Sequence, residues 1–307
     1  MRPAFSLIIF TSLSGAGLGL ALIMGIGLLP VPSLTWWLIQ NTLAMGLIGA
    51  GVLSSTFHLG HPERAWRALT QWRSSWLSRE GVLAAITMVL MAIWAGDGLI
   101  NGLPRAWLGY AVGGFALMTI WATAMIYASL KTVARWHHPL TPVLFVSYAI
   151  SGGLILAATL QSLASGGAST LIMPGFIAVI ITSIIALAWS RLAGAKGSGS
   201  SPETATGLGG IGPVRMLMPP HSEENWLQHE MGFKVARKHA ATLRRVSLVM
   251  AIYLPAGLML ATPQMASLAA LLMVVASLVH MGGVMVSRWL FFAEAKHTVS
   301  LYYGERH

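Results

Sequence analysis

Eight stretches of roughly 20 or more residues carry no Lys or Arg except near their ends, and a bilayer core about 30 Å thick takes about 20 helical residues to cross. They cover 4–29, 34–58, 80–100, 106–130, 141–163, 171–191, 244–262 and 266–292. In hydrocarbon, backbone N–H and C=O groups must pair within the chain, which leaves helices or closed barrels as the spanning structures. Runs of this length predict helices. The expected fold is therefore all-α: a polytopic bundle of eight transmembrane helices forming one domain over 1–307. Breakers punctuate the runs at Pro30-Val31-Pro32, Asn101-Gly102-Leu103-Pro104, Ser165-Gly166-Gly167 and Thr262-Pro263. Such turns suit short links between antiparallel neighbours.

Charge supports the same reading. Only 9% of residues are charged, where soluble domains carry about 25%. A net charge of +10 on a soluble protein would suggest nucleic acid. Here the basic residues sit in the connections, and no nucleic-acid partner is expected. Of the 19 Lys and Arg, every one but Arg105 falls on the same side if the eight spans alternate. The positive-inside rule places that side in the cytoplasm. Both termini are then expected there, with cytoplasmic connections at 59–79, 131–140 and 192–243. The apolar run after Arg2 lacks a small-residue cleavage site and reads as a first membrane helix. With no cysteine, the protein has no thiolate of its own to ligate an iron–sulfur cluster.

The longest polar connections differ in character. The 192–243 segment opens on a Gly/Ser-rich stretch expected to be a mobile linker. It closes on a helix-spaced basic stretch expected to lie amphipathically at the membrane surface before the seventh span. The 59–79 segment is denser in chemistry. His58 ends the second span and Glu80 begins the third, with Arg64, Arg67, Trp72, Arg73 and Trp76 between them. A histidine and a carboxylate at adjacent helix ends are suited to carrying protons. Phe57, Trp66, Trp72 and Trp76 could wall a slot for a flat ring. The bland alternative stays open: arginines and tryptophans beside a membrane are commonly interfacial anchors, and Glu80 at a helix start could serve as a cap.

Other polar residues carry weaker signals. His280 is the histidine placed well inside a span, and a hydrogen-bonded structural role outweighs haem ligation there. His137-His138 reads as a solvated turn, since two adjacent histidines do not make a metal site. No metal site is expected in the chain. Asp97 reads as interfacial. Arg288 and Glu294 are spaced too far apart to be helical neighbours, and Glu294 and Lys296 are expected to face a partner. Gly15, Gly17 and Gly19 follow no strand, so they read as close helix packing and not as a nucleotide loop.

These segments resemble a known family. Arg2-Pro-Ala-Phe-Ser with Thr11-Ser-Leu-Ser-Gly-Ala-Gly17, His58-Leu-Gly-His-Pro with Arg64-Ala-Trp-Arg67, Trp72-Arg-Ser-Ser-Trp-Leu-Ser-Arg-Glu80 and Arg288-Trp-Leu-Phe-Phe-Ala-Glu-Ala-Lys-His-Thr298 are similar to the dimethyl sulfoxide reductase anchor subunits. The Pro219-Pro-His-Ser-Glu-Glu-Asn225 and Met231-Gly-Phe-Lys-Val-Ala-Arg-Lys-His-Ala240 segments resemble the branch serving cytoplasmic-facing sulfite dehydrogenase. The resemblance implies a membrane-anchor domain in the bacterial inner membrane, within a three-subunit complex. A molybdopterin catalytic subunit performs the substrate chemistry, and a four-cluster iron–sulfur subunit relays electrons. Molybdopterin and iron–sulfur clusters then belong to those partners. The anchor exchanges electrons with quinone (ubiquinone or menaquinone) near positions matching His58 and Glu80. His61 stands where the reductase branch has a small polar residue.

The functional expectation is quinone reduction coupled to sulfite oxidation by partners docked on the cytoplasmic face. The nearest alternative is a quinol-oxidising anchor of an S- or N-oxide reductase. A secondary transporter is a distant one, because the spans are poor in midplane charge. Haem b at His280 stays open as a minor alternative and is not expected.

Overall fold

The computed structural model describes residues 3–57, 60–193, 199–218 and 235–303. Every regular element among them is helical. The long helices are α1 (Phe5–Gly25), α2 (Leu34–Thr56), α3 (Trp76–Asn101), α4 (Ala106–Ala128), α5 (Leu140–Ser165) and α6 (Ile172–Leu192). A short α7 (Pro202–Thr206) follows, then α8 (Val235–Leu248), a π turn (Val249–Tyr253), α9 (Leu254–Ala261), a 3-10 turn (Thr262–Leu268) and α10 (Ala269–Ala293). Two further 3-10 segments, Pro62–Gln71 and Thr298–Tyr303, decorate one end of the bundle.

The helix ends follow from local chemistry. Ser33 caps α2 by accepting from Trp36 N, and Ser75 caps α3 by accepting from Ser78 N. Gly102 (φ 76°) and Gly166 (φ 66°) close α3 and α5 in the left-handed region, which a residue without Cβ enters freely. Because Ser75 is the cap, α3 starts a turn earlier than the hydropathy run suggested. Glu80 lies inside the helix, and the capping role considered for it falls away.

α1 and α5 are the most buried helices and form the axis of the bundle. α1 packs against α2, α4, α5 and α10. At the α1–α5 crossing, Gly19 and Gly153 meet backbone to backbone, and a Cβ on Gly19 would overlap the Ala149 carbonyl. Apolar burial does not drive helices together within lipid, so small residues that let backbones approach carry the association. Gly17 serves likewise against Ala44 and Ile48, while a Cβ on Gly15 would meet nothing within 4 Å.

Seven described stretches are long and apolar enough to span a membrane, and the seventh, His239–Ala293, is 55 residues long. A straight helix of that length would reach about 80 Å, far beyond the hydrocarbon thickness. It is not straight. Pro263 opens a 3-10 turn in which Met265 leaves helical geometry (φ −120°, ψ 54°). The two limbs fold back on each other: Ser247 Oγ donates to Gly283 O at 3.2 Å, and His280 Nδ1 meets Ala251 O at 2.6 Å. Farther along, Arg244 and Glu294 pair at 2.6 Å. The stretch is therefore an antiparallel hairpin.

The connections carry local structure of their own. In the described part of the expected linker, Ser201 and Thr204 form a reciprocal capping box on α7, and Glu203 Oε1 accepts from Val214 N at 3.1 Å. The basic helix α8 runs through the π turn into α9 as part of one limb. The remainder of that expected surface helix, in 219–234, lies outside the described residues.

Arg135 from the α4–α5 turn and Arg244 from α8 both pair with Glu294 just beyond α10, at 2.7 and 2.6 Å. Glu294 thus faces its own chain, which corrects the expectation that it faces a partner. Burial pushes the Arg135 pKa down from its usual value, and Glu294 opposes that shift. Beside these pairs lies an aromatic cluster of Tyr127, Trp136, Phe145, Trp189, Phe291 and Phe292, with neighbouring ring centroids 5.3 to 5.9 Å apart.

Candidate functional site

The site grows out of the polar strap between α2 and α3. Arg79, in the first turn of α3, reaches back along it. Its Nε donates to Trp72 O at 3.0 Å and its Nη2 to Arg73 O at 2.7 Å. The guanidinium carbon lies 4.3 Å from the Trp76 ring centroid. The Ser78 hydroxyl donates to Ala68 O, fastening the 3-10 segment Pro62–Gln71 to α3. Trp72 and Trp76 are thereby held at the mouth of a cavity.

That cavity measures about 840 Å³ and opens on the outer flank of α3, α4 and α5. Its walls are apolar and aromatic: Trp72, Trp76, Leu83, Met118, Trp121 and Val146 contribute. Pockets for organic ligands run from about 300 to 1,000 Å³. Arg79 is the charged residue among its walls.

Glu80 lies behind the wall, on the α4-facing side of α3, with 5% of its surface exposed. Its neighbour Arg79 lines the cavity and it does not. The Thr123 hydroxyl on α4 hydrogen-bonds the Glu80 carboxyl and also lies 3.0 Å from Thr119 O. One hydroxyl proton cannot serve both acceptors at once. A protonated Glu80 can instead donate to Thr123 Oγ1, which then donates to Thr119 O. This arrangement can hold the carboxyl in either protonation state.

The residues singled out in the sequence separate into groups. Trp72 and Trp76 come together at the cavity. Arg64, Arg67 and Arg73 do not line it: Arg64 pairs with Glu63 at 3.8 Å, and Arg67 and Arg73 lie over Trp66 and Trp72 at 5.6 and 5.5 Å. Phe57 and Trp66 are exposed and stand apart from the slot. His61 pairs with Glu63 at 3.0 Å on the exposed strap. His58 lies outside the described residues.

Sequence reasoning missed Arg79, Trp121 and Thr123. Arg79 could have been found from its position three residues after Trp76, which stacks the two on one helix face. Trp121 and Thr123 on an apolar helix offer no comparable signal.

The remaining polar candidates settle into structural roles. Asp97 pairs with Arg105 at 3.3 Å and accepts from Arg105 N and Asn101 Nδ2, both at 2.8 Å. His137 Nδ1 lies 2.6 Å from Ala128 O, and His138 Nδ1 accepts from Leu140 N at 3.2 Å. Burial pushes the His138 pKa down. His280 Nδ1 lies 2.6 Å from Ala251 O, and the ring lines a cavity of about 10 Å³. Among the described residues, no group of three or more His, Asp or Glu is placed to hold a metal ion.

The family model for the DMSO reductase anchor subunit (DmsC) matches residues 1–198. The chain belongs to the DMSO reductase anchor subunit family. A second comparison extends that membership to the remainder of the protein. The C subunit of sulfite dehydrogenase from Allochromatium vinosum is 34% identical over 330 aligned positions, covering 99% of each protein. The anaerobic dimethyl sulfoxide reductase chain YnfH of Escherichia coli is 28% identical over 50% of this chain and 56% of its own length. The C component of an E. coli anaerobic dimethyl sulfoxide reductase is 27% identical, over 46% of this chain and 51% of its own length. For an anchor subunit, a helical bundle with an apolar cavity on its flank is a coherent architecture.

Proposed function

We propose that this protein anchors a molybdopterin and iron–sulfur oxidoreductase complex in the bacterial inner membrane and exchanges electrons with quinone in the α3–α4–α5 cavity. The observation that carries the reading is the pairing of that aromatic-walled cavity with Glu80, a buried carboxyl held by Thr123 immediately behind its wall. Trp72, Trp76 and Trp121 suit a flat ring, and the open apolar flank suits a long tail lying in lipid. Quinone supplies two-electron chemistry coupled to two protons. In this protein His58 and Glu80 carry those protons, and Thr123 holds Glu80 in either state. Arg79 orients the strap and presents a positive charge at the mouth.

Sulfite is the preferred electron source, because the relative named as a sulfite dehydrogenase subunit matches this chain almost end to end. Electrons then pass from a molybdopterin subunit through a four-cluster iron–sulfur subunit docked on the basic, cytoplasmic face. The hairpin of α8–α9 and α10 supplies the seventh and eighth spans, and both termini lie in the cytoplasm. The reverse direction, quinol oxidation for an S- or N-oxide reductase, is supported by the two E. coli relatives over about half of the chain.

Glu80→Gln and His58→Ala in the assembled complex test the site. Both variants are expected to abolish quinone-linked sulfite oxidation while activity with an artificial electron acceptor persists. Unchanged quinone-linked activity in both variants rules the assignment out. Full activity of the wild-type complex with an S-oxide and none with sulfite selects the reverse reading.

A further inference from the structure

The connection that follows α6 carries apolar side chains that the bundle does not cover. Within the described residues 199–218, Ile211, Leu217 and Met218 are 87%, 91% and 80% exposed, and Leu208 and Met216 are exposed as well. None of the α7 residues beside them is buried. Scattered apolar residues at a surface are ordinary, but several in one short stretch mark an interaction surface.

The stretch has a frame of its own. Besides the capping box on α7, Gly207 (φ 70°) ends that helix, Ile211 N donates to Leu208 O at 2.9 Å, and Glu203 Oε1 accepts from Val214 N. These bonds occupy backbone groups and leave the apolar side chains outside. The flanking helices fix where the stretch leaves the bundle. At the end of α6, Trp189 Nε1 donates to Thr141 Oγ1 at the start of α5, at 3.0 Å. The start of α5 lies one turn from the end of α4, and near that end Thr123 bonds Glu80 at the start of α3. The stretch therefore leaves from the end of the bundle that carries the strap and the cavity mouth.

Composition separates a lipid surface from a protein as the occupant. Segments that lie on a bilayer combine Trp or Tyr with several Lys or Arg. Residues 199–218 contain no aromatic side chain, and their charged residues are Glu203 and Arg215. A flexible, uncharged set of Met, Leu and Ile suits an apolar groove on a protein, to which methionine adapts readily. The match to the family model ends at residue 198, while the A. vinosum subunit aligns over 99% of the chain. The apolar stretch thus lies beyond the part shared with the family model. We propose that Ile211, Leu217 and Met218 dock into an apolar groove on the iron–sulfur subunit. The inference rests on the quinone-anchor reading: the subunit that exchanges electrons with the cavity has to approach the strap, and this stretch leaves the bundle at the same end.

Photo-crosslinking of the intact complex in its membranes tests the surface. A benzophenone amino acid in place of Ile211 or Leu217 is expected to link the anchor to the iron–sulfur subunit, with the product identified by mass spectrometry. Links only to lipid, to the catalytic subunit or to another anchor chain overturn the proposal, and so does the absence of any link. A purified complex that contains no iron–sulfur subunit overturns the quinone-anchor reading as well. One that contains the subunit but yields no link to it overturns the docking surface alone. A variant combining Ile211→Ser, Leu217→Ser and Met218→Ser gives a second readout. The iron–sulfur subunit retained on washed membranes should fall about tenfold or more, the effect of losing central apolar contacts, at an unchanged level of anchor. Unchanged retention counts against the surface, and if this variant does not accumulate, the crosslink decides.

Discussion

A carboxyl group inside a bundle of apolar helices is tolerated where a neighbour can bond it, and Thr123 is that neighbour for Glu80. The pair separates two effects that a single substitution would blur. Glu80→Gln keeps a hydrogen-bonding group at the position and removes the transferable proton. Quinone-linked turnover should fall on the order of 10²- to 10⁴-fold, the range that general acid–base groups contribute. Thr123→Val keeps the shape and removes the bond, with an expected loss of about tenfold, and Thr123→Ser should restore most of it. Steady-state assays against quinone and an artificial acceptor, run in parallel, check all three. Trp121→Ala belongs to the same scale: it removes a wall of the cavity and should raise KM for quinone more than it lowers kcat. Glu80 stood out in the sequence because charge is rare in the spans. Thr123 did not, since a threonine in an apolar helix ordinarily bonds the carbonyl one turn back, as Thr123 also does with Thr119.

Between elements, contacts decide what hydropathy cannot. The spans were legible because each excludes Lys and Arg along nearly its whole length, and the Thr262-Pro263 break correctly divided the last long stretch. Neighbour relations were not legible. The glycines of α1 signalled close packing, but nothing in the sequence identified Gly153 of α5 as the partner of Gly19. The Glu294 clamp was also hidden, because its two arginines come from distant segments. Glu294→Gln leaves Arg135 and Arg244 without their shared countercharge at a partly buried site. It should destabilise the anchor by about 2 kcal/mol, a charge-assisted bond's worth discounted for exposure. Thermal unfolding of the solubilised complex measures that loss.

At the scale of the whole molecule, orientation can be read by chemical labelling. The protein has no cysteine, so single introduced thiols give unambiguous reporters of sidedness. Ser201→Cys should react with an impermeant thiol reagent only from the cytoplasmic side. Asn101→Cys and Gln264→Cys should react only from the opposite side. Labelling of Gln264→Cys from the cytoplasm would mean that the hairpin enters the membrane without crossing it, and the span count would drop. Charge carries this expectation, because 18 of the 19 basic residues sort to one side if the eight spans alternate.

The ion pair at the end of α10 also bears on biogenesis. Of the described helices α1 is made before the others, yet one of its faces rests on α10, the last of them in chain order. Glu294 reaches Arg135 and Arg244 only after the hairpin is inserted. Until then both arginines lack their carboxylate, and the face of α1 that meets α10 has no cover. Insertion of the hairpin is therefore expected to complete the bundle, and a truncation before it is expected to lower the steady-state level of the anchor, which immunoblotting of membranes would measure.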